Sequence, residues 1–548
     1  MSVTQYIGAR YVPRFLDTYD PTQKYEALDV VDNGSGTSYI SKKIVPPNTP
    51  LNNSEYWALY GSSSGAAINL QNQINDINSF LNENITTPEK FGAIGDGITD
   101  DTIAFQQALN NGKIIVAKNK YLISSTLTMN DGTYLYGGGT IIVDAASTNR
   151  GVSLNNNCHI DNIKFIDINE TSYLSSGQII WCDEKSNTAI TRCSFNDIHL
   201  GFCINYNHSS NFEILYNYIN GYAYAGIEAI LSCEHFKINN NKVLNGKWTG
   251  NNNRYPIAVS GYYTTNLGPA RFIECNYNYI EDSVPLWEGI DSHGCTDAEF
   301  IGNTIKNVAY GIAIGQPTNA GTLSENNNRL RICNNNIEVT SAATGYAYGI
   351  QITSSDSLTM SGNIEIRNNK IVASGPAPAD SNDSTSGICL VTRPNGLGFF
   401  NVNIENNFVQ GNFASLAITS HADQPLRNIN IRNNTFIGST SFQRLRLINC
   451  FASEYKNVNI IDNILADNSS FDIVGPTSYT GNELINYRNN YGGSGTYARD
   501  NFITTPKPSL PSDTSAKGIA GQCISCNASG NLIKWICKTV GSWLALSA

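Results

Sequence analysis

Ile214-Leu215-Tyr216-Asn217-Tyr218-Ile219, Ile238-Asn239-Asn240-Asn241-Lys242-Val243 and Ile332-Cys333-Asn334-Asn335-Asn336-Ile337 are three copies of one pattern: an apolar residue, two variable positions, an asparagine, one variable position and another apolar residue. The pattern returns at Phe300 to Asn303 to Ile305, Ile366 to Asn369 to Ile371, Ile404 to Asn407 to Val409, Ile431 to Asn434 to Phe436 and Ile460 to Asn463 to Leu465, with a looser copy at Asn278. Successive asparagines are one supersecondary unit apart, with loops of varying length between them, and self-similarity on that scale marks a solenoid. Helical repeats would space their apolar residues three and four apart over ten or more residues. Here the apolar runs are short, β-branched, alternating and broken by Gly and Asn, so the unit is made of strands.

A second strand recurs between the asparagines, at Gly226-Ile227, Ile257 to Val259, Gly289-Ile290, Gly311 to Ile314, Gly349 to Ile352, Gly387 to Leu390, Leu416 to Ile418 and Leu445 to Leu447. Two or three short strands per turn, each stacked on the turn before, make a parallel β-helix. Asparagine suits its inward corner for two reasons: it tolerates a left-handed backbone, and its amide can bond to the asparagine of the next coil.

Composition fits a rigid all-β protein, with 46 Gly, 3 Met and 15% charged residues in 548. A net charge of -10 argues against generic binding of nucleic acid or anionic membranes. The N-terminal segment lacks an apolar h-region and no run reaches eighteen apolar residues, so neither a signal peptide nor membrane insertion is expected. Thirteen cysteines is an odd number, and Cys193, Cys233, Cys333 and Cys389 fall in strand patterns as small hydrophobes, which suits synthesis in a reducing cytosol. Cys523, Cys526 and Cys537 lack a fourth ligand and read as packing residues rather than a zinc group. Gly137-Gly138-Gly139 has no following Lys-Ser/Thr and is not a phosphate loop; no cofactor is expected.

The chain divides into a β module over 1–60, a linker and helix over 61–87, a capping segment over 88–112, the β-helix over 113–505 and a C-terminal β cap or trimerisation module over 506–548. In the helix, Leu70, Ile74, Ile77, Leu81 and Ile85 form a two-heptad seam, either a short parallel trimeric coiled coil or an amphipathic helix lying on its own domain. Asp100 or Thr99 can cap a helix whose Ile103, Phe105 and Leu109 cover the open first coil; a calcium site at Asp96, Asp100 and Asp101 is the alternative.

Aligned on the Gly-Ile pair, the second strands give one outward column: Glu228, Ala258, Asp291, Ala313, Gln351, Cys389, Ala417 and Arg446. Its two carboxylates lie two coils apart, roughly 9 to 10 Å between backbones, and side-chain tilt can bring them into the spacing of inverting glycosidases. Glu228 and Asp291 are therefore the candidate acid and base. Glu288 and His293 stand beside Asp291 and assist, His293 on the same face at a strand spacing of two; a hydrogen bond across coils is the plain alternative for Asp291 and His293. Trp248, Tyr255, Tyr262, Tyr263 and Trp287 are candidate platforms for sugar rings, and Lys247 and Arg254 candidate contacts for acidic groups.

Three segments carry resemblances. Tyr25-Glu26-Ala27-Leu28-Asp29-Val30-Val31 and Tyr56-Trp57-Ala58-Leu59 resemble the compact N-terminal modules, related in look to small carbohydrate-binding domains, of phage and prophage tail proteins of Gram-positive hosts, so residues 1–60 are expected to attach to the virion or to bind carbohydrate. Phe91-Gly92-Ala93-Ile94-Gly95-Asp96-Gly97-Ile98-Thr99-Asp100-Asp101 through Leu109 resembles the entry motif of the pectate-lyase-like superfamily, widespread in phage tailspikes, polysaccharide lyases and glycoside hydrolases. Gly289-Ile290-Asp291-Ser292-His293-Gly294 resembles a segment of such proteins in which the acid lies on the substrate-facing wall. The resemblance implies a right-handed parallel β-helix in a homotrimeric tailspike, part of a phage virion, that binds and cleaves a bacterial surface polysaccharide, with the N-terminal module attached to phage tail proteins. The paired acidic motifs of polygalacturonases and the calcium-binding aspartates of pectate lyases are missing from their usual places. Two rivals follow: a receptor-binding spike without catalysis, and a teichoic-acid phosphodiesterase with Asp291 and His293 on a metal.

Overall fold

The computed structural model describes residues 13–62, 71–79, 84–247, 254–261, 268–315, 327–340, 347–354, 360–374, 385–392, 397–411, 414–419, 425–438, 445–448, 455–466, 485–488, 490–492, 497–498, 501–503, 523–528, 531–539 and 542–546. It forms two compact units, 1–85 and 86–548. No helix among the described residues is long and apolar enough to cross a membrane.

In the first unit, strands Arg14–Thr18, Asp29–Asp32, Thr37–Ser41 and Trp57–Ser62 form one four-stranded sheet in chain order. Tyr25, Val31, Val45 and Trp57 are its core. Arg14 closes the sheet edge by donating from Nε and Nη2 to the two oxygens of Asp29, at 2.8 and 2.7 Å. Residues 71–79 are helical, with Ile74 and Ile77 exposed. Leu70 and Leu81 lie outside the described residues. Ile85 departs from the expected seam: it is in the strand Ile85–Thr86, so the helical register does not extend to it.

The second unit is the expected parallel β-helix. A 16-stranded sheet and a 26-stranded sheet run its length, and each coil contributes to both. The coil that begins at Ser210 shows the plan. Strand Ser210–Leu215 joins the smaller sheet, the asparagine corner follows, and Tyr218–Tyr222 and Ala225–Ile230 join the larger. Strict alternation sends every second side chain inward, and equivalent residues stack: Ile227 on Ile257, Ile290, Ile312, Ile350 and Ile388, all fully buried. Each such side chain contributes about 1.5–3 kcal/mol by leaving water. Beside them Phe212 and Phe236 stack at 4.7 Å, interplanar angle 3°.

The asparagine ladder is continuous from Asn217 to Asn463 and includes Asn278, the looser sequence copy. Each side-chain Nδ2 donates to the Oδ1 of the next coil's asparagine, and that same Oδ1 also accepts the backbone N–H of the earlier one, as in Asn241 N to Asn278 Oδ1 at 3.0 Å. The left-handed backbone falls elsewhere than expected. It belongs to the residue just before each ladder asparagine, at Tyr216, Asn240, Tyr277, Gly302, Asn334, Asn368, Asn406, Asn433 and Asp462. The ladder asparagines are there for their amides, and their predecessors make the turn.

The start of the helix is covered by Pro88–Phe91, a 3₁₀ turn, and the helix Thr102–Asn111, which buries Phe105 and Leu109. Ile103 does not share in this; it points to solvent, 76% exposed, because its neighbours in the helix register already fill the inward stripe. Asp101 stands at the N-cap but accepts from Ile94 N (2.7 Å) and Gly95 N (3.0 Å), while Asp100 accepts from Thr102 N at 3.0 Å. Asp96 accepts from Ile98 N and Thr99 N, so all three carboxylates are used by local backbone. The nine cysteines of this unit whose side chains are described are buried thiols. Cys523–Ala528, Asn531–Thr539 and Ser542–Leu546 make a three-stranded antiparallel sheet; the side chains of Cys523, Cys526 and Cys537 lie outside the described residues.

Glycines recur beside the inward isoleucines because neighbouring coils approach too closely for a Cβ. One added at Gly349 would stand 2.4 Å from the Gly387 carbonyl oxygen and 2.4 Å from Ile371 Cγ2. Gly349→Ala is expected to lower stability by about 1–3 kcal/mol through overpacking, measured as a shift in the denaturant midpoint. An unchanged midpoint would mean that the coils can separate locally.

Candidate functional site

The ladder pairing fixes the outward column independently of any motif: Trp181, Asn205, Glu228, Ala258, Asp291, Ala313, Gln351 and Cys389 are successive partners on the larger sheet. Glu228 and Asp291 therefore share one wall, with only the methyl of Ala258 on the rung between them. Their backbones are two strand spacings apart, roughly 10 Å.

Both acids are desolvated. Glu228 is 9% and Asp291 4% exposed. Burial first, and then the nearby Asp291, pushes the Glu228 carboxyl up to about 8, against a hydrogen bond that Asn205 Nδ2 donates to its Oε2. Burial also raises Asp291 above the usual carboxylate range, opposed by hydrogen bonds with Glu288 and Ser260. His293 Nε2 lies 3.2 Å from Asp291 Oδ1, and burial lowers its imidazole to about 4, so it is neutral at physiological pH. Its backbone N–H donates to Ser260 Oγ at 3.0 Å, which fixes the turn that aims the ring. One oxygen each of Glu288 and Asp291 and one ring nitrogen of His293 lie within 4.8 Å of one another, a donor set that suits a divalent cation such as zinc as well as a shared proton.

A carboxyl held protonated near neutrality beside a second acid with its own hydrogen-bonding retinue is the pairing that acid–base cleavage of a glycosidic bond requires. The same burial predicts a pH dependence of stability. Both folded values lie above the unfolded ones, so the folded state keeps protons that the unfolded chain has released. The contribution of Glu228 is complete below its ordinary value of 4.5 and is lost as pH rises through about 8. The free energy of unfolding is expected to fall over that window with a slope of at most about 1.4 kcal/mol per pH unit for each group, and the melting temperature to fall with it. Glu228→Gln, which still accepts from Asn205, is expected to flatten the slope; an equal slope in the variant would place the titration on other groups.

The structure sorts the remaining candidates. Tyr255 lies at the wall, its ring 5.3 Å from Tyr224 in an edge-to-face pair, and its hydroxyl is raised by burial and by the charges of Glu288 and Asp291. Arg254 is turned away from solvent: it is buried, and its Nη1 donates to the Gly246 carbonyl at 3.1 Å, so its guanidinium supports the coil backbone. Lys247 is exposed at the end of the preceding strand. Trp248, Tyr262 and Tyr263 lie outside the described residues, as does the side chain of Trp287, whose backbone is in the strand Tyr279–Ser292.

Four wall residues escaped the sequence reading. Asn205 sits one rung before Glu228, in a coil that precedes the asparagine ladder and so fell outside the alignment. Tyr310 and Tyr348 occupy the rungs after Glu288, their rings 4.9 Å apart. The signal was present in Glu288-Gly289-Ile290, Tyr310-Gly311-Ile312 and Tyr348-Gly349-Ile350, where the residue before each aligned glycine faces the same wall. Ser260 was hidden because its role is a contact across coils.

No protein-family model matches the chain. A stretch of 40 residues is 62% identical to the depolymerase, capsule K30/K69-specific, of Klebsiella phage K64-1; it spans 7% of this chain and 5% of that protein. The fold is similar to that of the surface protein and adhesin PfbA of Streptococcus pneumoniae, with a TM-score of 0.52 at 15% identity over 68% of this chain and 100% of that one. A second crystal structure of PfbA gives 0.50 at 15% identity, over 67% and 90%. The likeness is one of fold, and with the coil register it bears out the expected parallel β-helix.

Proposed function

We propose that this protein is a polysaccharide depolymerase of a phage tailspike or tail appendage, acting as a glycoside hydrolase on a bacterial surface polymer. The observation that carries the reading is the pair of desolvated carboxyls, Glu228 and Asp291, on one column of one wall with a single alanine between them. Glu228, protonated at neutral pH, gives its proton to the leaving oxygen; Asp291 takes a proton from the attacking water; Glu288 and His293 hold Asp291 in place. Tyr224 is half-buried at the wall and offers part of a ring face beside the acids, whereas Tyr255, Tyr310 and Tyr348 are buried and back the wall. The short identity with a phage capsule depolymerase supports this reading. So do the exposed Ile74 and Ile77, whose apolar faces suit a trimeric stalk that leads from a virion-attached N-terminal module.

The test is to incubate the full chain with capsule and envelope polysaccharides from candidate hosts and to measure new reducing ends and fragment masses. Cleavage that leaves saturated fragments supports a hydrolase. Tight binding with no fragments would replace the reading with a receptor-binding spike. A second reading rests on the close approach of Glu288, Asp291 and His293: a metal held there would serve phosphodiester cleavage of a teichoic-acid-like polymer. Activity abolished by a chelator and restored by zinc, with phosphate esters as products, would favour it.

A further inference from the structure

The outward face of the 16-stranded sheet carries a groove of about 580 Å³ over five successive coils, from Asn157 to Phe272. Its floor is the column His159, Ala189, Glu213, Lys237 and Glu274, and its edge is a corner at which every coil has a left-handed residue. Most coils place an asparagine at that corner, as at Asn187, Asn211 and Asn363. Two coils instead place aromatic rings there, His235 at φ 55° and Phe272 at φ 55°. Phenylalanine is a poor local choice for that backbone, which histidine tolerates better, and neither ring serves the core: Phe272 is 46% exposed and stacks on His235 at 4.3 Å. The departure is repeated at the opposite edge of the same sheet, where Tyr277 is left-handed, 61% exposed and laid over Gly302, whose missing Cβ makes the room.

We propose that this groove is a second saccharide-binding site, which takes an uncharged glycan laid along the helix axis with one sugar ring against the His235–Phe272 pair. Planar rings match the apolar face of a pyranose. Glu213 and Lys237, paired with each other at 3.5 Å, keep further acceptor and donor positions for hydroxyls, Glu274 accepts, and the paired amides of Asn157 and Asn187 do both. The charge disfavours an anionic polymer: two floor carboxylates against one ammonium, in a chain of net charge -10, repel polyanions. A peptide strand has no edge to join here, because these strands are hydrogen-bonded on both sides to neighbouring coils. The site uses neither Glu228 nor Asp291 and goes beyond the proposed cleavage.

The test measures binding of uncharged hexaoses (cello-, laminari-, malto- and mannohexaose) to the full chain by calorimetry and saturation-transfer NMR, with an oligogalacturonate as the anionic probe. An Asp291→Asn background prevents turnover. Phe272→Asn with His235→Asn installs the residue that other coils use, so the fold is retained and the melting temperature is expected to hold or rise. At least one uncharged hexaose is expected to bind, and the double variant to weaken that binding about tenfold or to lower the stoichiometry by one site per chain. The proposal is overturned if no uncharged hexaose binds, if the double variant binds as before, or if the oligogalacturonate is preferred. It is also overturned if the double variant changes the sedimentation coefficient instead of the affinity, since the face is then a contact between copies. Cleavage lost in Asp291→Asn with groove binding intact separates this site from the acid pair.

Discussion

Glu228→Gln and Asp291→Asn should each reduce polysaccharide turnover by a factor of about 10²–10⁴, the usual range for loss of a general acid or base, with substrate binding retained. The two losses should differ in kind. On a substrate with a nitrophenol leaving group no proton needs to be delivered, so Glu228→Gln should recover most of its activity while Asp291→Asn should not. Two rung spacings between the acids leave space for a water on the far side of the sugar, so the freshly released anomer should be inverted, as followed by NMR of the products. Retention of configuration would overturn the inverting assignment of the two acids. Undiminished cleavage by Asp291→Asn would remove that residue from the chemistry and leave the column without a base.

Asn335→Ala should be strongly destabilising to the β-helix, as should the same change at the other ladder asparagines that share its bonding. Asn335 is buried. Its Nδ2 donates to Phe300 O at 2.8 Å and Asn369 Oδ1 at 2.9 Å, and its Oδ1 accepts from Asn303 N at 2.9 Å and Asn303 Nδ2 at 3.0 Å. Alanine leaves the Phe300 carbonyl and the Asn303 N–H without these partners inside the corner. At about 1–3 kcal/mol for each abandoned group, the loss should reach about 3–5 kcal/mol. Asn335→Asp should fare no better, because a carboxylate cannot donate to Phe300. The measurement is the denaturant midpoint together with hydrogen exchange at the Asn303 amide, and a loss below about 1 kcal/mol would show that water can replace the ladder.

The asparagine spacing made the fold legible before any coordinates, since an amide needed on every rung must recur in the chain. The Gly-Ile alignment likewise gave the register that places residues 228 and 291 on one wall, because a glycine is forced wherever backbones touch, as at Gly349. What stayed hidden depends on contacts between coils. Arg254 reads as a surface cation until its guanidinium is seen on the Gly246 carbonyl. Ile85 fits a heptad by spacing, yet the first rung of the smaller sheet claims it. Ile103 shares the apolar character of Phe105 and Leu109 but not their side of the helix. The corner asparagines were credited with the left-handed turn because one residue type can do both tasks; only the backbone angles separate Asn335 from Asn334.

The amide ladder also has a direction. From Asn217 to Asn463 every side-chain oxygen accepts from the earlier coil, and from Asn217 to Asn434 every amino group spans from an earlier coil's carbonyl to the oxygen of the later asparagine. Such a one-way chain accepts a whole extra turn anywhere along its length, because the newcomer meets an oxygen-seeking donor on one side and a donor-seeking oxygen on the other. A fragment of a turn would break the sequence of partners. Lineages of this protein should therefore lengthen or shorten by complete coils, duplicated in tandem, while the loops between corners vary freely in size and carry whatever new specificity is selected.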